Sequence, residues 1–121
     1  MSRTILTVDD SKTMRDMVAF TLKQAGYQVK QAFDGQNALD VLGGEKVDCI
    51  VTDLNMPVMD GLELIKQLRQ HPVHKVTPIL MLTTESDDIK KQAGRDAGAT
   101  GWLTKPFNPD KLINTIKKVV M

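Results

Sequence analysis

Asp9, Asp10, Asp53, Thr83 and Lys105 are the side chains whose types and settings suggest chemistry. Each closely follows a short run of aliphatic and β-branched residues: Ile5-Leu6-Thr7-Val8 before the acidic pair, Cys49-Ile50-Val51-Thr52 before Asp53, Ile79-Leu80-Met81-Leu82 before Thr83, and Trp102-Leu103-Thr104 before Lys105. If those runs are neighbouring strands, three carboxylates, a hydroxyl and an ammonium converge at one edge. Clustered carboxylates repel one another, and a cation among them removes the repulsion. Oxygen ligation by a few carboxylates with retained water is what Mg2+ prefers. A carboxylate nucleophile beside Mg2+ and a lysine meets the needs of phosphoryl transfer, whose transition state spreads negative charge over three oxygens. The product would be an aspartyl phosphate. Thr83 could then donate a hydrogen bond to a phosphoryl oxygen, and Lys105 could add a mobile point charge.

Such convergence needs a particular order of elements. Residues 4–8, 27–33, 48–52, 78–82 and 101–103 read as strands, the first a continuous apolar run of the buried kind. Helical periods fill the gaps. Met14, Met17, Val18, Thr21, Leu22 and Ala25 share one helical face, and Gly26 closes that helix. Asp34-Gly35 is a turn into a short helix, residues 36–42, stopped by Gly43-Gly44. Gly61 opens a helix with Leu64, Ile65 and Leu68 inward, and residues 88–97 form a weaker one whose inward face offers only Ile89, Ala93 and Ala97. Asn108 caps the last helix, with Pro109 at its first position and Leu112, Ile113, Ile116, Val119 and Val120 as its stripe. Five strands alternating with five helices imply βαβ units with right-handed crossovers. The fold class is therefore α/β, a doubly wound three-layer sandwich around a parallel five-stranded sheet. Ligands of open α/β sheets bind outside the carboxyl ends of the strands, where the five candidates stand.

Composition excludes several alternatives. A chain of 121 residues suits one domain with its own core. Its 16 Lys and Arg against 15 Asp and Glu leave no basic excess for a nucleic-acid groove. One cysteine rules out an internal disulfide and suits a reducing compartment. No apolar run approaches the roughly 20 residues that span a bilayer, and no signal-peptide core opens the chain. The expectation is a single cytoplasmic domain over residues 1–121, with no partner membrane or nucleic acid. The acids concentrate early: residues 1–60 hold 9 acidic and 6 basic side chains, residues 61–121 hold 6 and 10.

The set Asp9-Asp10, Asp53, Thr83 and Lys105-Pro106 resembles the receiver domain of bacterial two-component response regulators across essentially the whole chain. That resemblance implies a flavodoxin-like (βα)5 fold with strand order 2-1-3-4-5. It implies Asp53 as phosphoacceptor, with Asp9, Asp10, Asp53 and the backbone carbonyl of Asn55 around Mg2+. Thr83 and Lys105 would contact the phosphoryl group, and the Lys105–Pro106 peptide would be cis. Asn55 and Glu85 would tune the access of water, with fairly fast self-dephosphorylation. The segment from Gly98 to Phe107 looks most like the CheY-like chemotaxis branch. The family's rotating switch aromatic is usually Tyr or Phe, and Trp102 stands in its place. The implied partners are a histidine kinase (CheA-like), a target on the face of the last two helices, a flagellar motor switch protein in the specific case, and room for a phosphatase. The domain would be a monomer without an output domain, a signalling switch with self-phosphorylation from small phosphodonors rather than an enzyme.

Three further readings stay open: a phosphorelay intermediate that passes its phosphate to a histidine phosphotransfer protein, a Mg2+-dependent phosphohydrolase with an Asp nucleophile, and the regulatory half of a DNA-binding protein, which would need a downstream domain. The second normally places Asp-x-Asp after the first strand, whereas Asp9 and Asp10 are adjacent and leave a strand on opposite sides. Other groups have plainer roles. Cys49 lies mid-strand as a small hydrophobe, Met56 and Met59 fill gaps, His71 and His74 sit in a solvated loop, and Lys90-Lys91 and Lys117-Lys118 are solvated helix faces. The weak 88–97 helix, with Trp102 and the last helix, would form the face that phosphorylation alters.

Overall fold

A computed structural model describes residues 3–120. Five strands alternate with five helices: β1 (Thr4–Val8), α1 (Lys12–Gln24), β2 (Gln28–Ala32), α2 (Gly35–Leu42), β3 (Cys49–Thr52), α3 (Gly61–Gln70), β4 (Ile79–Thr83), α4 (Asp88–Ala97), β5 (Gly101–Thr104) and α5 (Pro109–Val119). The strands form one parallel sheet in the order β2-β1-β3-β4-β5. Alternation along each strand divides the core in two. Leu6, Val8, Ile50, Ile79 and Met81 pack with α2 and α3, joined by Trp102 of β5. Ile5, Cys49, Val51, Leu80, Leu82 and Leu103 pack with α1 and α5. Cys49 is fully buried, which pushes its thiol up to about 12 and leaves it inert.

Each helix starts on a side chain that accepts from an otherwise unpaired backbone N–H. Ser11 accepts from Met14, Asp34 from Asn37, Asp60 from Glu63, Asp87 from Ile89 and Lys90, and Asn108 from Lys111. Asp34 is thus a cap rather than only a turn, and Gly35 already belongs to α2. Two helical faces differ from the sequence expectation. In α1 the buried residues are Val18, Ala19 and Leu22, while Met17 is 51% exposed; α5 covers only one flank of that helix. In α4 Ile89 is 79% exposed and Gly94 is the buried residue. Its packing is confined to its middle and C-terminal turns, where Gly94 meets Trp102 and the C-cap carbonyl meets Arg69.

Arg69 carries structural weight that its surface-like sequence context does not reveal. Its Nε and Nη2 donate to the Gly98 carbonyl at 3.0 and 2.8 Å, and Nη1 donates to the carbonyls of His74, Lys75 and Thr77 at 3.2, 3.2 and 2.7 Å. One guanidinium ties α3, the connection into β4 and the C-terminus of α4. Gly98 has φ +113, and a Cβ there would lie 2.8 Å from Arg69 Cγ. The same connection corrects the reading of His74: it is 1% exposed, with its ring 4.6 Å from that of His71. Burial holds its pKa below the ordinary 6.5 and His71 adds to that. The tight turn from His71 to Thr77, closed by backbone bonds from His74 to His71 and Thr77 to His74, folds the ring inward. Arg69→Ala should lower unfolding free energy by about 2–3 kcal/mol in urea titrations, since hydrogen bonds from a charged donor are the costly ones to lose. Arg69→Lys should recover little, because an ammonium lacks the planar fork.

Candidate functional site

Parallel register brings the acids together. Val8 of β1 pairs with Thr52 of β3, so Asp9 and Asp53 leave the sheet side by side. The ladder continues into both residues: Asp53 N–H donates to the Val8 carbonyl at 2.9 Å, and Asp9 N–H to the Ala32 carbonyl at 3.1 Å. On the other flank Lys105 N–H donates to the Thr83 carbonyl at 2.8 Å. Asp9, Asp53 and Thr83 are buried, at 4%, 8% and 0% exposure, so the two acids need partners.

Lys105 is that partner. Its Nζ donates to Asp9 Oδ2 at 2.7 Å and to Asp53 Oδ2 at 3.2 Å. Burial alone would depress the ammonium's pKa, but the hydrogen bond to Asp9 and the charges of both carboxylates outweigh it, so the net shift is upward. The lysine therefore stays charged at the edge of the acidic pocket. Backbone donors serve the remaining oxygens: Ser11 N–H reaches Asp9 Oδ1 at 2.9 Å, and Leu54 N–H reaches Asp53 Oδ1 at 2.7 Å.

Asp10 is exposed, yet one oxygen each from Asp9, Asp10 and Asp53 lies within 4.8 Å of the other two. Three carboxylates at one mouth suit a hard, oxygen-seeking divalent cation. Asn55 stands exposed on the segment after Asp53. Glu85 is half-buried. Its N–H donates to Thr83 Oγ1 at 3.3 Å and its carbonyl accepts from Trp102 Nε1 at 2.9 Å. The Lys105–Pro106 peptide is cis.

Several supporting residues escaped the sequence reading. Arg15 Nη1 donates to the Asp9 carbonyl at 2.8 Å, reaching back from α1. Val58 holds φ 68, a left-handed conformation costly for a β-branched residue, in the turn that leads from Asp53 to α3. Gly61 N–H donates to the Leu54 carbonyl at 2.8 Å, and any Cβ on Gly61 would strike the Asp53 carbonyl oxygen. An Asp-Gly pair opening a helix was the visible signal for Gly61; its backbone contact was not.

A parallel doubly wound sheet with an acidic pocket at the β1/β3 switch point defines an α/β domain of the flavodoxin-like kind. Residues 5–117 match the family model of the response regulator receiver domain, and the chain belongs to that family. Receiver domains are phospho-accepting signalling switches that bind Mg2+ at an acidic pocket and interact with histidine kinases and downstream targets. The chemotaxis response regulator CheY4 of Vibrio cholerae is 49% identical, with a TM-score of 0.93 over 99% of this chain and 100% of that one. The receiver domain of sensor histidine kinase PA1611 from Pseudomonas aeruginosa, solved with a magnesium ion in its active-site cleft, is 25% identical with a TM-score of 0.91 over 98% of each chain. The alkaline phosphatase synthesis transcriptional regulatory protein PhoP of Bacillus subtilis is 38% identical over 120 residues. That match takes in 99% of this chain, which spans 49% of PhoP's length. No helix among the described residues is long and apolar enough to cross a membrane.

Removing the Lys105 charge should leave the pocket more negative. Lys105→Ala is expected to bind Mg2+ about three- to tenfold more tightly by calorimetric titration, the effect of one lost positive charge in a partly solvated site. Equal or weaker binding would show that the lysine does not compete electrostatically with the cation.

Proposed function

We propose that Asp53 accepts a phosphoryl group from a histidine kinase and that this chain signals through the resulting change of its own surface, most specifically in chemotaxis. The observation that carries the reading is the paired Lys105 ammonium, held between Asp9 and Asp53 beside a buried Thr83. In the transfer, an Asp53 carboxylate oxygen bonds phosphorus while the donor's N–P bond breaks and the imidazole keeps the bonding pair. Lys105 follows the charge onto the phosphoryl oxygens, and the Thr83 hydroxyl, now accepting only from the Glu85 N–H, has its proton free to donate. Asp9, Asp10, Asp53 and the Asn55 carbonyl would hold Mg2+, which when bound supplies charge neutralisation for phosphoryl transfer. Asn55 and Glu85 flank the proposed phosphoryl position and would set how water reaches it. The 49% identity to the chemotaxis response regulator CheY4 across both chains, against 38% to the transcriptional regulator PhoP, favours a chemotaxis role over transcription. The single buried, unpaired thiol suits the reducing cytoplasm.

A donor histidine must reach Asp53, so its protein must rest on the surface beside the pocket. Met17 and Phe20 of α1, 51% and 64% exposed, line an apolar hollow of about 660 Å3 with Met14, Pro106 and Phe107. Pro106 and Phe107 directly follow Lys105, so the hollow borders the pocket. Helices of the kinase are its proposed occupants, and Trp102, α4 and α5 form the proposed output face.

Trp102 is the only tryptophan and serves as reporter. Mg2+ followed by beryllofluoride or acetyl phosphate should change its fluorescence in wild type but not in Asp53→Asn. A response that survives Asp53→Asn would move the acceptor elsewhere, and steady turnover of small phosphate esters would favour a phosphohydrolase. For the docking surface, Phe20→Asp should slow transfer from a phosphorylated kinase at least tenfold, roughly the effect of losing one buried aromatic anchor. Its phosphorylation by acetyl phosphate should stay unchanged.

A further inference from the structure

A glycine in the interior of a helix is a poor choice for stability unless something needs the space. Gly94 lies in the middle of α4 and is the buried residue of that helix. A Cβ built there would sit 2.7 Å from Trp102 Cζ3, closer than real Cβ atoms come, and a tight 3.2 Å from Cε3. The benzo ring of the indole therefore lies against bare helix backbone. Its pyrrole side is tethered, because Nε1 donates to the Glu85 carbonyl at 2.9 Å. Trp102 also pairs in register with Met81 of β4 and packs on the core beneath α4.

The contacts beyond Trp102 run in both directions. Glu85 donates its N–H to Thr83 Oγ1 at 3.3 Å, and its carboxylate accepts from the N–H of Asp87, the N-cap of α4. At the far end of α4 the Gly98 carbonyl is clamped by Arg69. The helix is thus anchored at its C-terminus, rests on the indole at its middle, and leaves its first turn exposed, with Ile89 at 79%.

We propose that Gly94 is a positioning residue for Trp102: the side chain it lacks is the seat that lets an indole, larger than a phenol or phenyl ring, lie beneath α4 with its N–H on the Glu85 carbonyl. Through that seat the placement of α4 follows the segment between Thr83 and Asp87. Any side chain at position 94 lifts the helix off the ring or turns the ring out and breaks the Glu85 bond. The coupling to phosphate rests on the function proposed above; the seat itself rests on geometry alone.

The test is Gly94→Ala in the full chain, in both the Trp102 and the Trp102→Phe backgrounds. Ala is the better helix former, so with no steric role it would slow amide exchange in α4. We expect the opposite in the Trp102 background: several-fold faster exchange over residues 91–96, red-shifted emission and stronger acrylamide quenching before any ligand is added. Beryllofluoride should then no longer change the emission, while acetyl phosphate still labels Asp53. In the Trp102→Phe background Gly94→Ala should instead slow α4 exchange, since the smaller ring no longer meets the methyl group. Wild-type emission, quenching and beryllofluoride response in Gly94→Ala would overturn the proposal. So would faster exchange of equal size in both backgrounds. Failure of wild type itself to take phosphate on Asp53 would overturn the functional reading, while the ligand-free comparison still decides whether Gly94 seats the indole.

Discussion

Two buried carboxylates leave neighbouring parallel strands one residue beyond the same register pair, Val8 with Thr52, and the rest of the site answers that constraint. Left alone, like charges at the end of a dry sheet would oppose its formation. The compensation comes from far along the chain: Lys105, 96 residues from Asp9 and 52 from Asp53, crosses from the loop after β5 to bond both. Backbone N–H groups of Ser11 and Leu54 take the remaining oxygens. A buried triad of this sort contributes little net stability. It is a poised arrangement in which the lysine can exchange carboxylate oxygens for others of similar charge.

The scaffold separates what must stay fixed from what can respond. The sheet centre is fully buried on both faces, and β1, β3 and β4 present their functional groups from it. Gly61 lets the N-terminus of α3 press against the Asp53 carbonyl, so the loop after Asp53 is held by backbone contact. On the edge the picture changes. β5 is only partly buried and α4 is attached by few groups, chiefly Arg69 at its C-terminus and the Trp102 ring at its middle. Elements with little buried area open most readily. α4, with its exposed first turn, therefore adjoins the strand that leads into Lys105, and it is linked to Thr83 through Glu85.

How much was legible in the linear chain follows from the range of the interactions. Strand and helix positions depend on patterns a few residues long, and all ten elements lie where those patterns put them, with shifts of one or two residues at the ends. The convergence of Asp9, Asp10, Asp53, Thr83 and Lys105 was readable because parallel strands deliver their final residues to one edge. Faces of marginal helices were less legible. Ile89 obeys helical spacing in α4 but is exposed, because the contacts that hold this helix lie further along it, at Gly94 and at the C-cap. Met17 obeys the spacing in α1 yet borders a solvent-facing hollow.

By itself, then, the sequence determined the alternation of elements, the acids and cations that the strands present, and the near balance of charge over 121 residues. These are properties of local periodicity and residue type. Tertiary structure alone decided that one arginine would staple four backbone carbonyls, that His74 would turn inward, and that glycines 61 and 94 would be sites of contact rather than of flexibility. Each of those outcomes depends on the distance of closest approach between elements remote in the chain. Spacing along one segment carries no information about what another segment presses against it.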